Sequence, residues 1–333
     1  MQPTDNATGR LVGVDATRGL AVLGMAVAHV GDAGGWGEPT GWLQVADGRS
    51  AATFATLAGV SAGLLSGGAA PRDLPRARIR IATRALLIGT LGVLLTALGT
   101  PVVVILPTYA VMFLALVPVL GARPRTLVWS AVGVLAVGSV VLATVDRGVG
   151  WPASILVGHY YPAVVWFAYL LAGLAVVRAG LLVRPGPLAG IGLGLAALGY
   201  GTGAIAAARG LTLGTWLDLT PHTSTAPEVT GNLGFALTVL AAATVLAARV
   251  PRLIAPLAAT GALALTAYTG QVVAIAVLGP DVVFQPSNVV LAAFVLVTVA
   301  VCWAWRVRWG RGPLERLLHA ASTGAASALR DPA

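Results

Sequence analysis

Three titratable side chains stand along one otherwise apolar run, VDATRGLAVLGMAVAH (Val14 to His29), and their spacing decides what they can do together. In a helix, Arg18 and His29, eleven positions apart, return to within about 20° of one face, and Asp15 lies within about 60° of Arg18. The stripe from Arg18 to His29 is about 16 Å long at helical rise. Asp15 and Arg18 pair at i, i+3, which lowers the cost of burying either. An arginine fork suits phosphate or carbonyl oxygens, and a histidine suits proton transfer near neutral pH. The plainer reading is that Arg18 snorkels to the inner interface with Asp15 as counter-ion while His29 meets the outer one. That reading does not require a histidine three turns further along the same face.

Other residues able to do chemistry are scattered. LTPHTSTAPEVTGN (Leu219 to Asn232) holds His222, a second candidate base, with Glu228 and Asn232 at i, i+4 as candidate substrate contacts. Glu228 also reads as a carboxylate favouring a helix N-terminus. Asp47 is a candidate catalytic carboxylate on the face of Ser50 and Ser61, or an N-cap. GHYYP (Gly158 to Pro162) places His159 and Tyr160 at an expected outer boundary, as substrate contacts or as an aromatic belt. Tyr268 and Gln271, like Tyr109, are polar groups in apolar segments, and the first two are candidate substrate contacts facing a bundle interior. PRDLPRARIRIATR, expected as a loop with the next helix from about residue 80, offers Arg76, Arg78 and Arg80 to phosphates, or simply marks a cytoplasmic loop. Cys302 is the only cysteine, and no Cys/His spacing fits a metal, so none is expected.

The elements that must position these groups are membrane helices. Apolar residues make up 57% and charged residues 10% of the chain, which excludes a soluble domain. A 20-residue window yields ten spans, near 10–31, 48–68, 80–99, 101–121, 126–145, 161–178, 187–208, 230–249, 254–278 and 288–307. All 21 cationic side chains are arginines; with the N-terminus inside, only Arg49, Arg147 and Arg209 fall outside, which predicts both ends cytoplasmic. That topology accounts for the high pI without nucleic acid. Trp36, Trp42, Trp151 and Trp216 fall near the expected outer boundary. Cleavage of the first segment as a signal peptide is disfavoured, because Asp15 and Arg18 interrupt its apolar core. The expected fold is all-α: one integral membrane domain over 1–333, with its longest outer loop at 209–229 and a cytoplasmic tail at 307–333.

The pattern D-x-x-R-G-x-A, with Asp15, Arg18 and Gly19, followed by His29 eleven residues after the arginine, resembles the first helix of the transmembrane acyltransferase superfamily. That superfamily includes the acyltransferase-3 proteins and the heparan-alpha-glucosaminide N-acetyltransferase catalytic domain. VADGRSAATFATLAGVSAGLL is similar to the second helix of the heparan branch, and GALALTAYTGQ and RGPLERLLH are similar to the C-terminal half of the YeiB-like membrane family. The heparan enzyme has Asn where His29 stands and a separate histidine in the following loop; VGDAGGWGEPTGWLQ has none, so His29 matches the acyltransferase-3 pattern.

The resemblance implies a multi-pass protein of the bacterial plasma membrane. It would move an acyl group, expected to be acetyl, from cytoplasmic acyl-CoA (acetyl-CoA) to a carbohydrate or amino-sugar acceptor at the outer face. Asp15, Arg18 and the Arg76–Arg80 group would then hold the donor and His29 would act as base. The pantetheine arm, on the order of 15–20 Å, is comparable to the stripe. The competing class is a transporter or flippase for a small solute or glycolipid, since a polar stripe also serves a permeation path. Besides bilayer, donor and acceptor, the expected partners leave room for a second copy in a homodimer.

Overall fold

The computed structural model describes residues 3–211 and 216–328, with side chains from Val12 onward. The Arg10 side chain, Arg330 and residues 212–215 of the expected outer loop lie outside these. Among the described residues the only regular structure is helical. The fourteen α-helices are α1 (Pro3–Val30), α2 (Arg49–Leu65), α3 (Leu74–Thr96), α4 (Leu106–Leu116), α5 (Pro124–Thr144), α6 (Ser154–Val157), α7 (Ala163–Arg178), α8 (Pro185–Ala208), α9 (Ala226–Arg249), α10 (Pro251–Ala262), α11 (Ala264–Leu278), α12 (Asp281–Phe284), α13 (Asn288–Trp309) and α14 (Pro313–Ser327). A short 3-10 helix, Gly41–Ala46, precedes α2.

Each of the ten expected segments contains a helix, but among the described residues only α3, α5, α8, α9 and α13 are individually long and apolar enough to cross a membrane. A sixth span exists if α10 and α11 count as one, and they meet at a 70° bend. The continuous helix expected over 254–278 is therefore broken at Leu263. A break inside an apolar segment is tolerable only if the freed backbone groups find partners. Here both ends do. Arg18 Nη1 donates to the Gly261 carbonyl at the end of α10, at 3.3 Å. At the start of α11, the Leu265 and Thr266 amides donate to Glu315 Oε1 at 2.8 and 3.1 Å, and Thr266 Oγ1 donates to Oε2 at 2.6 Å.

A second difference concerns Arg72 to Arg84, which is mostly helix rather than loop. Asp73 acts as N-cap, accepting the Arg76 amide on its side chain at 3.4 Å, and Pro75 stands in the first turn. Arg76, Arg80 and Arg84 thus fall on one face at steps of four, and Arg78 points about 200° away from Arg76.

The described chain divides into two compact units. The first comprises Met1–Phe54, Leu94–Val104 and Val239–Leu317. Its centre is the crossing of α1 with α10, where backbone meets backbone: a Cβ on Gly19 would overlap the Leu257 carbonyl oxygen, and one on Gly261 would overlap the Asp15 carbonyl oxygen. The second unit comprises Ala55–Val93, Ile105–Thr238 and Leu318–Ala333. Helix α7, buried along most of its length, forms its centre and crosses α2 by the same device, with Gly59 against Leu170 and Gly173 against Thr56. Small residues that admit close backbone approach are how helices associate where lipid removes the usual apolar driving force.

Arg178 ends α7 at 5% exposure. It donates to Ser66 Oγ at 2.7 Å, to the Leu120 carbonyl at 2.6 Å, to the Gly63 carbonyl at 3.3 Å and to the Gly68 carbonyl. This guanidinium satisfies carbonyls beyond the end of α2 and at the end of the α4 segment.

The α1–α10 crossing gives a direct test. Gly261→Ala should destabilise the detergent-solubilised protein by about 1–3 kcal/mol, the cost of overpacking, read as a lower melting temperature. Gly270→Ala, in a helix with open space at its Cβ position, should leave melting unchanged or raise it slightly.

Candidate functional site

In the first unit, Asp15 Oδ1 accepts from Arg18 Nη1 at 2.7 Å, and the two side chains are only 30% and 21% exposed. The pair is held rather than snorkelling, because the same Nη1 also serves the Gly261 carbonyl. One turn further along the face, the Val22 carbonyl accepts Gln271 Nε2 at 3.4 Å. Val22 itself packs with Leu263, Ala264, Ala267 and Cys302, and Ala26 packs with Val30, Leu43, Ile275 and Leu291. The two polar stations of the stripe, Arg18 and half-buried His29, are thus separated by the buried apolar residues Val22 and Ala26.

Asp47 follows the 3-10 helix in extended conformation, and α2 begins only at Arg49, so it stands one place ahead of the N-cap position. Tyr268 and Gln271 are both buried in α11, at 3% exposure each.

In the second unit, the outer-face candidates converge. The His222 ring lies 5.1 Å from Tyr160 and 5.6 Å from Tyr161; Tyr161 meets Trp166 edge-on at 5.0 Å, and Trp166 meets Tyr169 at 5.2 Å. Trp166 Nε1 donates to Ser224 Oγ at 3.1 Å. Tyr161, His222 and Ser224 all have positive φ (55°, 69° and 58°), a conformation that costs a non-glycine residue on the order of 1–3 kcal/mol and persists only where surroundings enforce it.

Glu228 does the enforcing. Its carboxylate, 4% exposed with its residue, accepts the His222 amide at 2.9 Å, the Ser224 amide at 2.6 Å, Thr223 Oγ1 at 3.1 Å and Asn232 Nδ2 at 3.3 Å. Asn232 in turn accepts Tyr200 OH at 2.7 Å. Glu228 and Asn232 are thus a framework for the loop.

Arg147, overlooked in the sequence, staples the two strands of this cluster. It donates to the Thr223 carbonyl at 2.8 Å, the His159 carbonyl at 2.9 Å and the Gly158 carbonyl at 3.2 Å. Burial lowers its pKa from the ordinary value, and the Glu228 carboxylate acts in the opposite sense. His159 contributes its carbonyl here, and the residue itself is exposed. A cavity of about 100 Å³ sits beside Arg147, Trp216, Asp218 and Thr223.

Of the arginines expected to meet the donor phosphates, Arg76 pairs with Asp73 at 3.1 Å and Arg78 is exposed; Arg84, at the end of the same run, donates from Nε to Ser322 Oγ at 3.3 Å. Among the described residues no group of three or more His, Cys, Asp or Glu is placed to hold a metal.

Comparison with known families decides the class. Residues 10–184, more than half of the chain, match the heparan-alpha-glucosaminide N-acetyltransferase catalytic family. The chain belongs to that family. Residues 194–325 match a second family, described as a protein of unknown function (DUF418). Searches of curated proteins and of solved structures returned no match. The heparan-alpha-glucosaminide N-acetyltransferase match covers Asp15, Arg18, His29, Asp47, the α3 arginines, Arg147, His159 and Tyr160, and it makes the protein a member of a membrane acetyltransferase family. His222, Glu228, Asn232, Tyr268 and Gln271 fall in the second match.

The Glu228 framework predicts a local effect. Glu228→Gln keeps the shape but loses the charge that four donors share. Charged hydrogen bonds contribute about 1.5–3 kcal/mol each, so amide exchange at 222–224 should rise by at least tenfold with little change in α7. Unchanged protection there would mean that the loop is held by Arg147 alone.

Proposed function

We propose that this protein transfers an acetyl group from cytoplasmic acetyl-CoA to a hydroxyl or amine of a glycan or amino-sugar acceptor at the outer face of a bacterial plasma membrane. The observation that carries the reading is the Asp15–Arg18 pair, fixed on the Gly261 carbonyl within the family-matched region, with His29 eleven residues along the same face. Ten crossings with both ends cytoplasmic belong to the same proposal, supported by the asymmetry of the arginines.

In this scheme the acceptor oxygen or nitrogen attacks the thioester carbonyl carbon and His29 takes the proton it gives up. The carbon–sulfur bond then breaks, and CoA leaves as the thiol. Arg18 is assigned to the donor side, and Arg76, Arg78 and Arg80 of α3 to the CoA phosphates. His159, Tyr160 and His222 are assigned to acceptor binding, on a loop shaped by Glu228 and Asn232. Flat aromatic faces with polar edges suit a sugar ring.

The test is purified protein in detergent with acetyl-CoA and a panel of amino sugars. Acceptor-dependent release of free thiol is the expected result. The broken α10–α11 segment favours a second reading, because discontinuous spans commonly build transporter sites. Calorimetry with no acetyl-CoA binding, together with solute flux in proteoliposomes, would establish that second reading instead.

A further inference from the structure

A further unexplained feature lies in the first unit, outside the proposed chemistry. A groove of about 480 Å³ runs between α11 and α13, walled by Ala267, Ala274, Phe294, Val297 and Val301 and ending at Pro313. Its α13 wall is open, with Val297 and Val301 60% and 57% exposed, so in a membrane it faces hydrocarbon. From Trp305 to Ala293 it covers twelve residues of helix, about 18 Å, close to the roughly 15 Å of half a hydrocarbon core.

Two further observations say what fills it. Gln271 lines the wall at 3% exposure, and its Oε1 is buried without a hydrogen-bond partner, while its Nε2 is committed to the Val22 carbonyl. A plain hydrocarbon chain leaves that acceptor unmet, which costs about 1–3 kcal/mol. At the Pro313 end stand exposed Arg308 and Arg311. Arg308, eleven residues after Val297, lies within about 20° of its face and sits over the Trp309 ring at 5.6 Å. The ring of Trp309 lies 4.6 Å from that of Trp305, an aromatic pair of the kind found at the headgroup level. Gln271 is five residues from Thr266 at that end of the groove, about 7.5 Å deeper.

We propose that the groove binds a single-chain anionic phospholipid: the acyl chain lies between α11 and α13, the free glycerol hydroxyl donates to Gln271 Oε1, and the phosphate meets Arg308 and Arg311. A two-chain lipid is disfavoured on both counts. Its second chain has no groove, and esterification removes the hydroxyl that Gln271 requires. Through Gln271, occupancy of the groove would bear on the Val22 turn of α1, between Arg18 and His29.

The experiment is native mass spectrometry of the purified full chain titrated with monoacylglycerol 3-phosphate. Diacylglycerol 3-phosphate and monoacylglycerol phosphocholine are the comparators. The monoacyl phosphate should bind about fivefold more tightly than the diacyl lipid, as one net hydrogen bond allows, and Gln271→Leu should abolish that preference. Arg308→Ala with Arg311→Ala should abolish the preference for phosphate over phosphocholine, and Val297→Trp, which fills the groove, should reduce binding at least tenfold. Each variant is first checked for a wild-type elution profile; Arg308→Ala with Arg311→Ala lies at exposed positions, so it keeps the test available if a groove variant does not fold. Equal binding of mono- and diacyl lipids, or unaltered binding by folded Val297→Trp, would overturn the proposal. A protein dimer that dissociates in Val297→Trp would overturn it in favour of a second copy as occupant.

Discussion

Replacing His29 with alanine is expected to lower acetyl transfer by about 10²–10⁴-fold, the usual worth of a positioned base, while acetyl-CoA still binds. The side chain sits in the last turn of α1, so the substitution removes a polar group from a helix end and improves helix propensity. Folding should therefore be unaffected, and the loss should appear in kcat. Arg18→Ala should behave differently. It strips Asp15 and the Gly261 carbonyl of a shared donor, so donor affinity and thermal stability should fall together. Steady-state kinetics on both proteins separates the two roles, since groups resting at two interfaces would not divide between kcat and KM. Wild-type turnover by folded His29→Ala would remove the assignment and leave His222, in its tyrosine cluster, as the base to test.

Arg178→Met should be the most damaging substitution for stability, at about 3–5 kcal/mol, because it takes the donor from several buried acceptors at about 1–3 kcal/mol each. Methionine retains much of the apolar stem but takes the Arg178 donor from Ser66 Oγ and from the Gly68 and Leu120 carbonyls, while the Gly63 carbonyl keeps the Gly68 amide at 2.9 Å. A loss of that size consumes much of the 5–15 kcal/mol by which domains are typically stable, at roughly the lower end of which folded yield collapses. Arg178→Lys, a single ammonium on a flexible stem, cannot reach all four acceptors in one plane and should recover only part of the loss. Melting curves and folded yield read this out. Any folded fraction should retain wild-type KM, because Arg178 binds its own chain.

What was legible in the sequence was local. The Asp15–Arg18 pair and the return to His29 follow from helical angles alone, and the apolar runs place helices at all ten expected positions. The break at Leu263 was not legible, because the apolar pattern runs straight through it and the carboxylate that caps α11 comes from Glu315, fifty residues away. The packing along the stripe was hidden for a related reason: angles show that Val22 shares the face of Arg18, but not that Leu263 and Ala267 cover it. The helix through Arg76 to Arg84 did carry a signal, Asp73 two residues before Pro75, which is a helix start. Arg147 carried none, since backbone carbonyls, its partners, leave no mark on side-chain identity.

The first unit is sewn together from the two ends of the chain, and this imposes a timetable on its biosynthesis. Arg18 and the carbonyl that receives it are 243 residues apart, so at ribosomal speeds of about 5–20 residues per second the acceptor arrives on the order of ten to fifty seconds after the arginine. Throughout that interval α1 has left the ribosome without α10. The i, i+3 partnership with Asp15 is a neutralising contact already present in the nascent helix. The aspartate therefore serves α1 as a travelling counter-ion, making an arginine-bearing helix insertable long before its permanent partner has been translated.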